Sequence, residues 1–502
     1  MASPSHRRFG SHGQRQGLVH NDALEPGPVY NKTYGAEETL PPPNTTSNEL
    51  KRTQWRRSGE GPNMKLFRIK TGGESGRGGI HPWHFFRICF RSSCKASAAV
   101  NILWPIVPVA LAVRCPGALT DFEFCAVLDS LPEQHVLIFT LSYIAMAPCA
   151  NLIGFAGQEL ARKLPHVLGV LIETTVGSIV EIILFMVLLS KDQFLVIKAA
   201  ILGSILATML LCLGLCFFVG GLYHEEQSFS DTISEAGSGL LLTAGVALAI
   251  PTVFQRGLPE SNMTAAEIAD KTLDISRVVS ILLIIAYCVF VFFQARTHHG
   301  LYHDIFEMDE ERDRDGHKDA AKDKLTLIEC LIALSVAVAL VTLIAITLVL
   351  QIEPIIVHSK VSDAFMGLIL VPLVEKFAEH ITAIDEAWDN QMNFALSHVL
   401  GATLQTALFN APLVVVVAWG YNKPLDLDFG IFDLVMLILA ILTVGRFLQD
   451  QKSNYLEGFL LVILYVAIAV SAFYYPNPGH EGAEGPGPSA EGTEAGEKFR
   501  LF

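Results

Sequence analysis

Apolar stretches of membrane length recur along this chain, separated by short polar or glycine-containing turns. About 20 apolar residues in a helix cover the ~30 Å hydrocarbon core of a bilayer. The pattern predicts eleven spans, near residues 98–114, 134–156, 166–190, 195–222, 237–255, 276–296, 325–350, 361–384, 394–420, 430–448 and 456–474. The fold class expected is an all-α membrane protein.

Two spans break the apolar pattern with an acid at mid-depth. The third carries Glu181 and the eighth carries Glu379. A carboxylate at the bilayer centre costs roughly 2.5–3.5 kcal/mol on insertion scales, so such acids are retained for function by default. Each is followed 22 residues on by a small-residue turn, Gly203-Ser204 after Glu181 and Gly401-Ala402 after Glu379. That match marks an internal repeat. Five spans separate the two acids, and an odd offset reverses direction across the membrane. The expected design is one extra N-terminal helix followed by two inverted five-helix repeats with a site at their interface.

The polar remainder assigns the flanks. Residues 1–80 are rich in Gly, Pro and Ser, a composition unable to bury a core. Between Lys51 and Lys95 lie eleven Lys or Arg and two acids, an excess that predicts a cytosolic N-terminus. Residues 304–323 hold nine acids and four bases, without EF-hand spacing, and read as a solvated linker open to a cation-responsive role. The boundaries expected are a basic, disordered cytosolic region over 1–95, a first transmembrane half over 96–300, an acidic cytosolic linker over 301–324, a second repeat over 325–476 and a disordered lumenal tail over 477–502. The net charge of −14 resides mostly in tails and loops. Nine cysteines show no metal-ligand spacing, and Cys115 and Cys125 share a predicted lumenal loop that would permit a disulfide. Asn262 opens a glycosylation sequon in another such loop. No nucleotide-binding loop, metalloprotease motif or hydrolase elbow is present. No cofactor and no nucleic-acid partner are expected.

The chemistry available at the repeat interface is oxygen-based. Ca²⁺ takes six to eight oxygens, and a carboxylate accepts either a cation or a proton. Glu181 and Glu379 are the expected cation and proton ligands. Ser178, Ser204, Thr208, Thr403 and Gln405 are the expected supporting donors, and Gly177 permits close helix approach. Glu173 is an additional acid two turns before Glu181, and His380 directly follows Glu379 as a possible proton relay.

The run Gly177-Ser178-Ile179-Val180-Glu181 and the run from Pro372 to His380 resemble the two signatures of the calcium/proton exchanger (CAX) family of the cation/calcium antiporter superfamily. Phe217 to Gly221, Phe409 to Pro412 and the segment from Asp450 to Gly458 extend that resemblance from about Asn101 to Pro476. It implies a divergent, fungal-type vacuolar member that exchanges Ca²⁺, or a related divalent cation, for protons across a vacuolar or other endomembrane. The chain departs from the pattern at several points. The family amides stand here as Ser178 and Lys376, the family glycine as Glu375, and an expected asparagine as Thr208.

Lys376 is the largest departure. On a helix it lies about 60° from Glu379, with Glu375 about 40° away on the other side. Three outcomes are open: Lys376 pairs with Glu379 and opposes Ca²⁺, Glu375 neutralises it, or it extends toward the interface. Two further functions follow from the first, a monovalent cation/proton antiporter and a transport-inactive membrane sensor or scaffold.

Overall fold

A computed structural model describes residues 80–92, 94–113, 134–257, 263–312, 324–359 and 361–475. The Cys115–Cys125 pair, Asn262, most of the basic N-terminal region and the tail expected to be lumenal lie outside these residues. Among the described residues the architecture is a helical bundle. Its one ribbon pairs Gln227–Ser228 antiparallel with Lys452–Ser453.

Among the described residues, ten helices are long and apolar enough to cross a membrane, from Lys95–Val113 to Tyr455–Phe473. The expected eighth span, 361–384, is not among them: Glu375, Lys376 and Glu379 load its centre with charge, and it is also broken. It runs as Asp363–Phe365, a π-turn over Met366–Leu370, Val371–Glu375 and Phe377–Trp388. The described residues thus give ten such helices and one charged, broken segment against the eleven spans expected. Pro372 accounts for part of this: it lacks an N–H and cannot continue the α-helical ladder, and a π-turn absorbs the mismatch.

The N-terminal boundary also differs from the expected 95. Pro82–Arg91 is a helix, started by proline at its first turn. Its Trp83, Phe86 and Phe90 are exposed on one side, the amphipathic pattern of a helix at a membrane surface. Asn101 Nδ2 donates to the carbonyls of Cys89 (3.2 Å) and Phe90 (2.9 Å), satisfying orphan acceptors at its C-terminus. The order expected to begin at 96 thus begins earlier.

Two features place the site. The Glu181 span breaks at Ser178 (φ −76°, ψ 1°) into His166–Gly177 and Ile179–Ser190. The Glu379 span breaks at Lys376 (φ −90°, ψ 0°). Each break falls three residues before the acid, so each glutamate occupies the first turn of a half-helix. The positive end of the helix dipole favours negative charge there. The span after each acid carries its own π-turn, Ala207–Cys212 in the first half and Thr406–Asn410 in the second. The halves meet closely: a Cβ on Gly367 would sit 2.6 Å from that of Ala199.

The linker helix His299–Arg312 is docked rather than free. Its Asp309 is fully buried and accepts hydrogen bonds from the backbone N–H groups of Asn393 (2.7 Å) and Phe394 (3.2 Å) and from Asn393 Nδ2 (2.9 Å). It caps the helix that begins at Met392. One acid of the acidic linker thus serves a structural role.

Candidate cation and proton site

Glu181 is completely buried and its contacts come from the other half of the chain. Thr406 Oγ1 lies 2.9 Å from both carboxylate oxygens, and Asn410 Nδ2 donates to Oε2 at 2.7 Å. Lys376 Nζ lies 2.7 Å from the same Oε2 and 3.2 Å from Glu379 Oε2. One ammonium therefore bridges both acids, which lie well inside one helix diameter (~10–12 Å) of each other. Gly177 makes room for this: a Cβ there would stand 2.6 Å from Glu379 Oε1.

The bridge decides among the three expected outcomes for Lys376. The side chain is fully buried, so it does not extend to the interface. Its ion pairs among the described residues are with Glu181 and Glu379, not with Glu375. Pairing with Glu379 was one expected outcome; bridging to Glu181 as well was not foreseen. Glu375 is buried beside Ser204.

The two acids differ in access. Glu181 is closed in by its partners. Glu379 faces an open cavity lined also by Glu173, Thr208, Cys212, His380 and His398. Counting from Gly203 and Gly401, Thr208 and Thr406 occupy equivalent positions, as do Cys212 and Asn410. The repeat thus presents a hydroxyl and a second side chain to each acid, in contact at Glu181 and across a cavity at Glu379.

The supporting residues expected from sequence fall into two groups. Glu181, Glu379, Lys376, Gly177, Thr208, His380 and Glu173 gather around the pair or its cavity, with the Thr208 hydroxyl donating to the Ser204 carbonyl (2.9 Å). Ser178 spends its hydroxyl on the carbonyls of Thr174 (3.2 Å) and Thr175 (3.3 Å). Thr403 spends its own on Val399 (2.7 Å). Gln405 is buried with no hydrogen-bond partner among the described residues. Sequence reasoning missed Thr406, Asn410 and His398. Thr406 was legible as the repeat partner of Thr208, and Asn410 as its neighbour one turn on.

Two broken helices that meet across a repeat, each with a glutamate in its first turn, one buried and one partly buried, define a multi-pass ion exchanger. The chain belongs to the sodium/calcium exchanger protein family, whose profile matches residues 134–296 and 330–474. It is 32% identical over 385 residues to the vacuolar cation/proton exchanger 2 of Arabidopsis thaliana, covering 76% of this chain and 82% of that protein. It is 31% identical to the vacuolar calcium ion transporter of Schizosaccharomyces pombe, covering 68% and 79%. It is 33% identical to the Ca²⁺/H⁺ antiporter of Aphanothece halophytica, covering 68% and 91%. Among solved structures, native YfkE matches with a TM-score of 0.58 at 27% identity, covering 74% of this chain and 99% of that one.

Proposed function

We propose that this protein is a secondary antiporter that exchanges Ca²⁺, or a related divalent cation, for H⁺ across the vacuolar membrane or a comparable organellar membrane. The observation that carries the reading is the Glu181–Glu379 pair, joined from opposite halves on matched broken helices. The names of the relatives, vacuolar cation/proton exchangers and Ca²⁺/H⁺ antiporters, supply the ions and the compartment. No resident cofactor takes part; Ca²⁺ and H⁺ are substrates.

The residues divide the work as follows. Glu181 and Glu379 take the cation or protons, never both at full charge, which couples the two fluxes. Thr406 and Asn410 hold Glu181 in place. Lys376 offsets one of the two carboxylate charges when no external cation is bound, because two uncompensated carboxylates in a low-dielectric interior repel strongly. When Ca²⁺ enters beside the ammonium, two carboxylates fall one negative charge short. Ionised Glu375 supplies the third negative charge. Lys376 and the transported cation thereby share one set of carboxylates.

The test is flux into sealed vesicles with an imposed proton gradient, offering Ca²⁺, Mn²⁺, Na⁺ and K⁺ in turn. Gradient-driven Ca²⁺ uptake with matching proton efflux is expected. Uptake of Na⁺ or K⁺ without Ca²⁺, or no proton-coupled flux of any cation, overturns the reading.

A further inference from the structure

On the linker side of Glu379, His398 stands between two carboxylates. Its Nδ1 lies 2.7 Å from Glu386 Oε2, and its Nε2 lies 3.5 Å from Glu173 Oε2. Three separate segments meet here: His166–Gly177 brings Glu173, Phe377–Trp388 brings Glu386 and Met392–Gln405 brings His398. Asp385 adjoins Glu386, Arg162 lies behind Glu173, and Glu379 is the next acid inward. Glu173 and His398 line the same cavity as Glu379.

From this geometry we infer that Glu386, His398 and Glu173 form a proton relay between the linker-side solution and Glu379, separate from the cation ligands. The inference rests on the antiport reading. The two ring nitrogens point to opposite edges of the imidazole, so they cannot converge on one metal ion, but they can pass a proton through the ring. A proton on Glu386 transfers to Nδ1 and forms imidazolium. The Nε2–H bond then breaks, and its proton goes to the Glu173 carboxylate, leaving the other neutral tautomer. Glu173 discharges into the cavity that Glu379 faces. Reverse passage or ring rotation resets the tautomer. Charge and proton count are conserved at each step, and no other reactant is needed.

A relay affects proton-coupled flux but not cation self-exchange. The test compares Ca²⁺/H⁺ exchange with ⁴⁵Ca²⁺/Ca²⁺ self-exchange in proteoliposomes, for wild type, His398→Gln and Glu173→Gln. For both variants the expected result is a fall of about 100-fold in the maximal Ca²⁺/H⁺ rate, the low end for a positioned acid–base group. The Ca²⁺ KM and self-exchange stay at wild-type values, and added imidazole partly restores His398→Gln. Unchanged Ca²⁺/H⁺ exchange in His398→Gln overturns the relay. Equal loss of both exchange modes in both variants also overturns it, since the cluster then serves binding or folding. Wild-type protein without Ca²⁺/H⁺ exchange refutes the antiport reading instead, which keeps the two failures distinct.

Discussion

Lys376 lies 2.7 Å from Glu181 and pairs at the same time with Glu379 at 3.2 Å, so the repeat interface carries its own cation. An ammonium in that position competes with any ion that binds the pair. At an effective dielectric near 20, a unit charge ~4 Å away is worth roughly 4 kcal/mol, and a third of that is about tenfold in an equilibrium constant. Lys376→Asn removes the competitor and supplies an amide oxygen. Its Ca²⁺ affinity should rise about tenfold or more, measured by calorimetry or by the KM of vesicle uptake. An unchanged affinity means that the ammonium does not occupy the cation's place.

Glu375 is expected to act as the third carboxylate. Its side chain is buried and does not pair with Lys376. Glu375→Gln keeps shape but cannot ionise. Ca²⁺ transport should fall strongly, while Lys376→Asn in the same protein should restore it, because both changes together return the charge balance. Independent effects of the two substitutions would dissociate Glu375 from Lys376; coupling between neighbouring charged groups typically reaches ~0.5–3 kcal/mol.

The hydroxyl of Thr406 contacts both oxygens of Glu181, whereas that of Thr403 bonds within its own helix. Thr406→Val should weaken Ca²⁺ binding by about tenfold, within the ~1.5–3 kcal/mol of a hydrogen bond to a charged group. Thr403→Val should leave it near wild type. Equal effects would place neither hydroxyl at the site.

The same contrast runs through what the sequence made legible. Glu181, Glu379, the repeat and the membrane class could be read because buried acids in apolar runs are rare and spaced alike. Ser178 and Thr403 were attractive only as nearby oxygens. Whether a helical hydroxyl bonds back to the carbonyl four residues earlier or reaches a neighbour depends on packing, which spacing does not encode. The bridge from Lys376 to Glu181 was invisible for a related reason. A helical wheel relates Lys376 to Glu375 and Glu379 on its own span, but Glu181 arrives from the opposite half. The His398 cluster joins three segments; Glu173 stands out in the sequence as an extra acid, but nothing local links it to His398 and Glu386.

Gly177 is a steric requirement rather than a hinge. Gly177→Ala should push Glu379 from its place, since the new Cβ meets Oε1 at 2.6 Å. Overpacking of this kind costs typically 1–3 kcal/mol. Transport should fall sharply. Gly239→Ala, where no atom lies within 4 Å, should behave as wild type. Full activity in Gly177→Ala would show that Glu379 works from another position.

If Glu181 and Glu379 together are the exchange site, proton-driven ⁴⁵Ca²⁺ uptake should be lost in reconstituted Glu181→Gln and Glu379→Gln. Glutamine keeps the shape of each side chain but can neither titrate nor bring charge. Both variants should fold, insert and elute as wild type while uptake drops to the level of empty vesicles. Near-normal uptake in either one contradicts the account.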